Sequence, residues 1–270
     1  LQANFAWNSS WLNFSSLFYL PVLEMKGTQL SNSILYFFLI LFFLKEGFKK
    51  KIQNNLSQNF IFCLSFYLII KFCRISEHGF DFPANIFLLI AFYFFLKLNE
   101  SNEEFLLKKN FIYVLLFSTF SITIKLTTFI APLLVFSSFL IIAKKKINLK
   151  FLLYPFIFCF VLFVFWILQQ FIYSGCFVPF FDFTCIKNVE WYYPNISETV
   201  GSATGPINKS IRDYTGILTP EEYVKNFNWV STWFNINKIQ LLEHLAAYLI
   251  PIIFIAVINY KSFFQKKNNK

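Results

Sequence analysis

The chain alternates long apolar runs with short polar segments, and seven of these runs are candidates for membrane crossings. A spanning helix needs about 20 mostly apolar residues, somewhat fewer at the minimum. The first and third runs are short by this measure, and we expect their helices to extend through Gln29 and Asp81 into the polar flanks. The seven runs are Leu30–Leu44, Gln58–Cys73, Phe82–Leu96, Phe105–Ile122, Leu126–Ala143, Phe151–Tyr173 and Leu241–Tyr260.

The fourth and fifth runs belong to one apolar stretch, Phe105–Ala143, which is too long for a single crossing. We expect it to break at Thr123–Thr127, where Lys125 interrupts the apolar sequence, so that a tight turn joins two helices. The pattern predicts an all-α integral membrane protein. We expect this protein to have about seven transmembrane helices and a long outer loop before the last one.

Composition agrees with a membrane protein. Of the 270 residues, 57% are hydrophobic and only 14% are charged, whereas soluble domains average about 25% charged residues. Aromatic residues make up 22% of the chain, and 41 of them are Phe. These values exclude a disordered chain, a collagen, a coiled coil and a small disulfide scaffold. The net charge of +10 does not indicate a nucleic-acid partner, because its distribution follows the predicted membrane.

The basic residues are concentrated on one side of this predicted membrane. One set of loops carries 15 of the 24 Lys and Arg residues and 4 of the 14 acidic residues, and the opposite set carries 9 basic and 10 acidic residues. Cytoplasmic loops of membrane proteins are enriched in Lys and Arg. We therefore expect Leu1 to lie outside, the crossings to alternate, and the tail after Tyr260 to lie in the cytoplasm.

This topology divides the chain into five parts. Position 1 is Leu rather than an initiator Met, and no charged segment or cleavage site precedes an apolar run. We therefore expect the chain to lack an upstream part of the protein. The parts are an outer segment (1–29) left from a first outer loop, a six-helix bundle (30–173), a periplasmic-side loop region (174–240), the last helix (241–260) and a basic cytoplasmic tail (261–270).

Candidate acidic residues lie at the outer end of the third run, Phe82–Leu96. Asp81 precedes Phe82 and Pro83, a pattern typical of a helix N-cap with proline in the first turn. A carboxylate held there can also accept a proton from a substrate or bind a metal, and the two roles are compatible. Glu77 is close enough in sequence to lie at the same outer helix end.

Candidate cations lie at the same predicted face. Lys125 falls between two crossings, where it can snorkel to the interface or serve as the counter-charge of a lipid phosphate. Lys71 and Arg74 end the second run. Arg74 is the better bidentate phosphate ligand of these two, because its guanidinium is a planar fork.

The segment that leaves the sixth run contains further candidates. Gly175 and Pro179 predict a sharp exit onto the membrane surface. Cys176 and Cys185 both face outwards and can form a disulfide that closes a small loop. Two cysteines are too few for zinc, and neither His completes a set, so no metal site is predicted. The candidates for a substrate-binding loop are Trp11, Ser174, Gly175, Pro179, Asp182 and Trp191.

All six Trp residues lie outside or near an outer helix end. One interpretation is an aromatic belt at the membrane interface. The other is stacking on sugar rings, which present apolar C–H faces to aromatic surfaces. Composition does not distinguish these two interpretations.

Four segments, in this order along the chain, resemble one family. They are uncharacterised bacterial relatives of the Rgt-type, GT-C fold glycosyltransferases. Phe5–Trp11 is similar to the family's "FNSSW" segment, Asp81–Pro83 to its "D-x-P" helix start, and Ile124–Thr127 to its "iKlt" turn. Tyr173–Pro179, with Trp166 before it and Cys185 and Trp191 after it, resembles the family's exit from a long helix.

The resemblance implies transfer of a sugar on the outer face of the bacterial inner membrane. The donor would be a polyprenyl-phosphate-linked sugar and the acceptor an envelope glycan or lipid. A carboxylate would deprotonate the acceptor hydroxyl, and basic groups, sometimes with a divalent metal ion, would stabilise the departing phosphate. The superfamily's main catalytic acid usually lies in a region that would precede Leu1, so Asp81 is expected to be a second acidic site.

Other function classes are also compatible with the sequence. A transporter or lipid flippase would use helices broken by proline, for which Pro132, Pro155 and Pro251 are candidates. A polysaccharide polymerase or ligase would use the same kind of donor on the same face. A purely structural membrane protein would leave the outer motifs unexplained.

Overall fold

The structure is a computed structural model. It describes residues 9–22, 27, 29–47, 56–71, 81–125, 128–178 and 181–192, and then 222, 225–235, 238–239, 241–243, 245–246, 249–250 and 252–253. Seven α-helices have both ends among the described residues: α1 (Ser10–Ser16), α2 (Gln29–Gly47), α3 (Leu56–Lys71), α4 (Asp81–Glu100), α5 (Glu104–Ile124), α6 (Ala131–Lys144) and α7 (Leu153–Ser174). Short 3-10 helices cover Leu149–Leu152, Asp182–Thr184 and Lys225–Phe227. Within these residues the β-type pairing is one isolated bridge, Cys176 with Cys185.

The expectation of an all-α fold is confirmed for the described residues, and their apolar helices agree with a membrane protein. Four helical segments in the described residues are long and apolar enough to cross a membrane: Gln29–Glu46, Phe82–Glu100, Glu104–Ile124 and Leu149–Ser174. Two shorter apolar helices, Leu56–Ile69 and Ala131–Lys144, lie at two further predicted runs. The seventh run, Leu241–Tyr260, lies largely outside the described residues.

The predicted break in the long apolar stretch is present, but α6 starts later than Leu126. Helix α5 ends at Ile124, and Lys125 follows in extended conformation with φ −148° and ψ 120°. Helix α6 begins only at Ala131, with Pro132 in its first turn. Proline suits that position because its missing N–H has no intrahelical acceptor there.

The chain divides into two compact units. We call residues 9–164 with 247–270 the helical unit, and residues 1–8 with 165–246 the loop unit. The largest core of the helical unit joins α2, α3 and α4 through buried side chains, and α5 contributes Val114. A second core joins α4, α5 and α6 with Leu152 and Cys159. Aromatic rings add to this packing; those of Phe94 and Phe117 lie parallel with centroids 5.9 Å apart.

Polar contacts close one end of the helical unit, which we call the Glu46 end. The Glu46 carboxylate accepts hydrogen bonds from Tyr93 Oη, at 2.6 Å, and from Lys97 Nζ. The Glu100 carboxylate accepts from the backbone N–H and the hydroxyl of Ser57, at 2.9 and 2.6 Å, and so caps the start of α3. The Glu46 side chain is only 10% exposed and needs such donors, because desolvation penalises an unpaired charge.

Candidate functional site

Three of the sequence segments singled out above meet at the opposite end of the helical unit, which we call the Trp11 end. Trp11, Ala84 and Ile124 form one buried cluster, packed against Leu35 and Phe87. Ala84 belongs to the first turn of α4, which Asp81 opens, and Ile124 is the last residue of α5. Packing therefore brings the segment at Trp11, the start of α4 and the end of α5 together.

Hydrogen bonds between side chains fix this meeting point. Trp11 Nε1 donates to Asn32 Oδ1 of α2 at 2.9 Å, and Ser10 Oγ donates to Thr123 Oγ1 of α5 at 3.0 Å. Ser121 Oγ donates to the Ala84 carbonyl oxygen at 2.9 Å. Asn32, Ser121 and Thr123 are buried, where polar side-chain atoms are normally hydrogen-bonded, as they are here.

The serine at position 9 is the N-cap of α1. Its side chain accepts a hydrogen bond from the Trp11 N–H at 3.3 Å, the usual N-cap arrangement. Ser15, further along α1, shares a 2.6 Å hydrogen bond with Ser31 of α2. These contacts hold the Trp11 ring against α4 and α5, with its centroid 6.2 Å from that of Phe87.

Lys125 is the C-cap of α5 at this end and is half-buried. Its N–H donates to the Ser121 carbonyl at 3.0 Å, and its own carbonyl accepts from Thr128 Oγ1 at 2.8 Å. Asp81 is the first residue of α4; the structure does not describe its side chain. Because α4 and α5 run antiparallel as neighbours, the backbones of Asp81 and Lys125 lie at the same end of the unit.

The remaining predicted charges are only partly placed. Lys71 is the last residue of α3, and its side chain is not described. The end of α3 nevertheless lies beside α4, since Tyr36 Oη donates to the Leu68 carbonyl at 2.6 Å while its ring faces that of Phe82. Arg74 and Glu77 lie outside the described residues.

The loop unit holds the predicted exit segment. Helix α7 ends at Ser174, whose buried Oγ donates to the Gln170 carbonyl at 2.7 Å and accepts from the Cys176 N–H at 3.1 Å. Gly175 follows with φ +74°. A Cβ there would lie 3.0 Å from Cδ2 and 3.1 Å from Cα of Tyr192, so glycine is required for both conformation and space.

A disulfide joins Cys176 and Cys185, the two cysteines that the sequence marks as a candidate pair. Backbone bonds run beside it, from Phe177 N–H to the Thr184 carbonyl and from Ile186 N–H to the Gly175 carbonyl. Asp182 opens the 3-10 helix inside this loop, and its side chain is not described. Pro179 lies outside the described residues.

Trp11 and Trp191, the two Trp candidates for the substrate-binding loop, differ in exposure in the structure. Trp11 is only 7% exposed and serves as a packing residue, so its ring is not presented as a sugar-stacking surface. Trp191 is 50% exposed, and its Nε1 donates to the Phe171 carbonyl at 3.2 Å. Of the two, Trp191 keeps an open ring surface for a lipid or a sugar.

The helical unit also has an apolar cavity of about 170 Å³. Its lining is apolar apart from Thr119, whose hydroxyl donates to the Leu115 carbonyl of its own helix at 2.9 Å. The cavity is lined by Leu115, Thr119, Ile122, Phe156, Cys159, Phe160 and Phe163.

In the part of the chain that the structure describes, no group of three or more His, Cys, Asp or Glu residues could hold a metal ion.

Asn32, Ser121 and Thr123 are the residues of the Trp11 end that sequence reasoning missed. The available signal is that each is a polar residue near one end of an apolar run.

A model of one protein family, described as a domain of unknown function (DUF8201), matches residues 1–270. No curated protein and no solved structure matches the chain.

Proposed function

The chain belongs to the family described as a domain of unknown function (DUF8201), and within that family we propose that it acts as a membrane glycosyltransferase of the GT-C type. It would transfer a sugar from a polyprenyl-phosphate-linked donor to an envelope glycan or lipid acceptor. One observation supports this proposal above others: Trp11, Ala84 and Ile124 share a buried cluster. Trp11 and Ile124 belong to two segments that resemble the glycosyltransferases in sequence, and Ala84 directly follows a third, Asp81–Pro83.

The proposed topology has seven crossings, with the Trp11 end on the outer face and residues 174–240 in the periplasm. In this arrangement Lys125 supplies positive charge for the phosphate of the donor, because it ends α5 at that face. Lys71 and Arg74, at and just after the end of α3, would add further cations. The Glu46 end, where Lys97 bonds the Glu46 carboxylate, would face the cytoplasm together with Lys108 and Lys109.

The acceptor side of the proposed reaction is assigned to carboxylates. Asp81 opens α4 at the Trp11 end, and Glu77 precedes it in the chain. A carboxylate placed there would accept the proton of the attacking hydroxyl, while the nearby cations would stabilise the phosphate that leaves. The apolar cavity between α5 and α7 is suited in chemistry to an isoprenoid or acyl chain, since six of its seven lining residues carry apolar side chains.

The test is transfer activity in membrane vesicles that contain the protein expressed from its complete gene. The donors are a panel of undecaprenyl-phosphate sugars carrying a radiolabel, and the readout is label in endogenous glycan or lipid. Lys125→Ala and Asp81→Asn are the test variants. Lys144→Ala and Glu103→Gln are matched controls, because both residues are exposed and lie towards the Glu46 end.

We expect each test variant to lose transfer by about 100-fold or more, the usual effect of removing a group that acts in proton transfer or charge stabilisation. The controls should keep the activity of the unmodified protein. Equal activity in all four variants, at equal expression and melting temperature, would contradict the assigned roles. Failure of every donor in the unmodified protein would contradict the reaction itself.

A further inference from the structure

The loop closed by Cys176–Cys185 is unusually apolar for a segment outside a helix. Residues 177–184 contain four Phe residues, Val178 and Pro179, and Asp182 is their one charged residue. Phe183 is 86% exposed and Phe181 is 53% exposed. Their rings lie 5.5 Å apart between centroids. The loop therefore presents a paired aromatic surface rather than burying it.

Several backbone groups of this loop are paired within it. Thr184 Oγ1 donates to the Val178 carbonyl at 2.8 Å and accepts from the Val178 N–H at 3.1 Å. The Thr184 N–H donates to the Phe181 carbonyl at 2.9 Å. In an apolar medium an unpaired backbone group costs several kcal/mol. Because these groups are already paired, they keep their hydrogen bonds when they leave water.

The position of the loop follows from α7. The segment Leu149–Ser174 is the most apolar of the four candidate spans, and the loop begins directly after it. The loop also packs back on the last turns of α7, since the rings of Phe171 and Phe177 stack with centroids 4.8 Å apart. Trp191 bonds to the Phe171 carbonyl and stays half-exposed, as is typical of Trp at a membrane interface.

We propose that the Cys176–Cys185 loop is a membrane-interface anchor whose Phe181 and Phe183 rings enter the bilayer that α7 crosses. The partner is the phospholipid of that bilayer, at the boundary between headgroups and acyl chains. Amphipathic and aromatic surfaces of this kind bind there through their apolar area. The disulfide keeps the two rings on one short, closed segment. This inference rests on the span assigned to α7 and is independent of the glycosyltransferase proposal.

The experiment is photocrosslinking in vesicles of phosphatidylethanolamine and phosphatidylglycerol that contain a trace of radiolabelled phosphatidylethanolamine. The photoreactive residue p-benzoylphenylalanine replaces Phe183 in one protein and Asn188 in the matched control. Asn188 is exposed and belongs to the same unit, but it lies beyond the disulfide. Mass spectrometry first establishes that the Cys176–Cys185 disulfide is intact in each protein.

We expect several-fold more labelled lipid adduct from position 183 than from position 188. Equal adduct at the two positions would overturn the proposal. Crosslinks from position 183 only to a second copy of the chain would also overturn it, because they would make the aromatic surface a protein interface. If the Phe183 replacement fails to form the disulfide, the same comparison is made with Phe181, for which the expected result is the same.

Discussion

Ser121 of α5 donates a 2.9 Å hydrogen bond to the carbonyl oxygen of Ala84 in α4. Both residues are fully buried. The bond links the end of one apolar helix to the start of its neighbour, where a small side chain lets the two backbones approach closely. It is one fixed contact between α4 and α5, at the end of the unit where the backbones of Asp81 and Lys125 lie.

Removing that hydroxyl should weaken the α4–α5 pair. We expect Ser121→Ala to lower the free energy of unfolding by about 0.5–1 kcal/mol, the usual size of a hydrogen bond between membrane helices. The measurement is unfolding in detergent by titration with a denaturing surfactant. Ser138→Ala is the matched control, since the hydroxyl of buried Ser138 donates to the Leu134 carbonyl of its own helix. An equal loss in both variants would contradict an interhelical role for Ser121.

The bond between Trp11 and Asn32 should be detectable by itself. Trp11→Phe keeps a ring in the cluster but removes the donor to buried Asn32 Oδ1, so we expect destabilisation by about 1–2 kcal/mol. Asn32→Leu removes the other partner. A double-mutant cycle should give a coupling energy of about 1 kcal/mol between the two positions. Additive effects would show that the bond contributes nothing beyond ring packing.

Gly175 should not tolerate a side chain. Gly175→Ala places a Cβ 3.1 Å from the Tyr192 Cα at φ +74°, which we expect to cost about 1–3 kcal/mol of backbone and steric strain. The variant should form the Cys176–Cys185 disulfide in a smaller fraction of molecules. Mass spectrometry after alkylation of free thiols measures that fraction, and Asn188→Ala serves as the control. Full disulfide formation in the variant would contradict the strain argument.

The disulfide should stabilise the loop mainly by lowering the conformational entropy of the unfolded chain. For a sequence separation of 9 residues, the chain-entropy relation gives about 2–3 kcal/mol. We expect the double variant Cys176→Ser with Cys185→Ser to be cleaved faster by protease within 177–184. Cys63→Ala, which removes a free cysteine of α3, is the control. Unchanged cleavage in the double variant would mean that the backbone bonds hold the loop without the disulfide.

The sequence predicted the helices more securely than their contacts. Runs of about 20 apolar residues form helices in a membrane because the backbone has no water to bond there, and Gln29 and Asp81 do begin α2 and α4. The start of α6 was placed too early, since hydropathy does not register that Pro132 belongs in a first turn. Seven crossings and the sidedness of the protein stay predictions.

The candidate site was only partly visible in the sequence. Asp81, Lys125 and Trp11 could be singled out as motifs, but the burial of Trp11 and the roles of Asn32, Ser121 and Thr123 could not. Hydropathy is a property of each residue along one chain, whereas these hydrogen bonds depend on the register between neighbouring helices. That register is decided by side-chain packing across α1, α4 and α5. The sequence by itself therefore determined which segments are helical and apolar, and tertiary packing decided which of their polar residues meet.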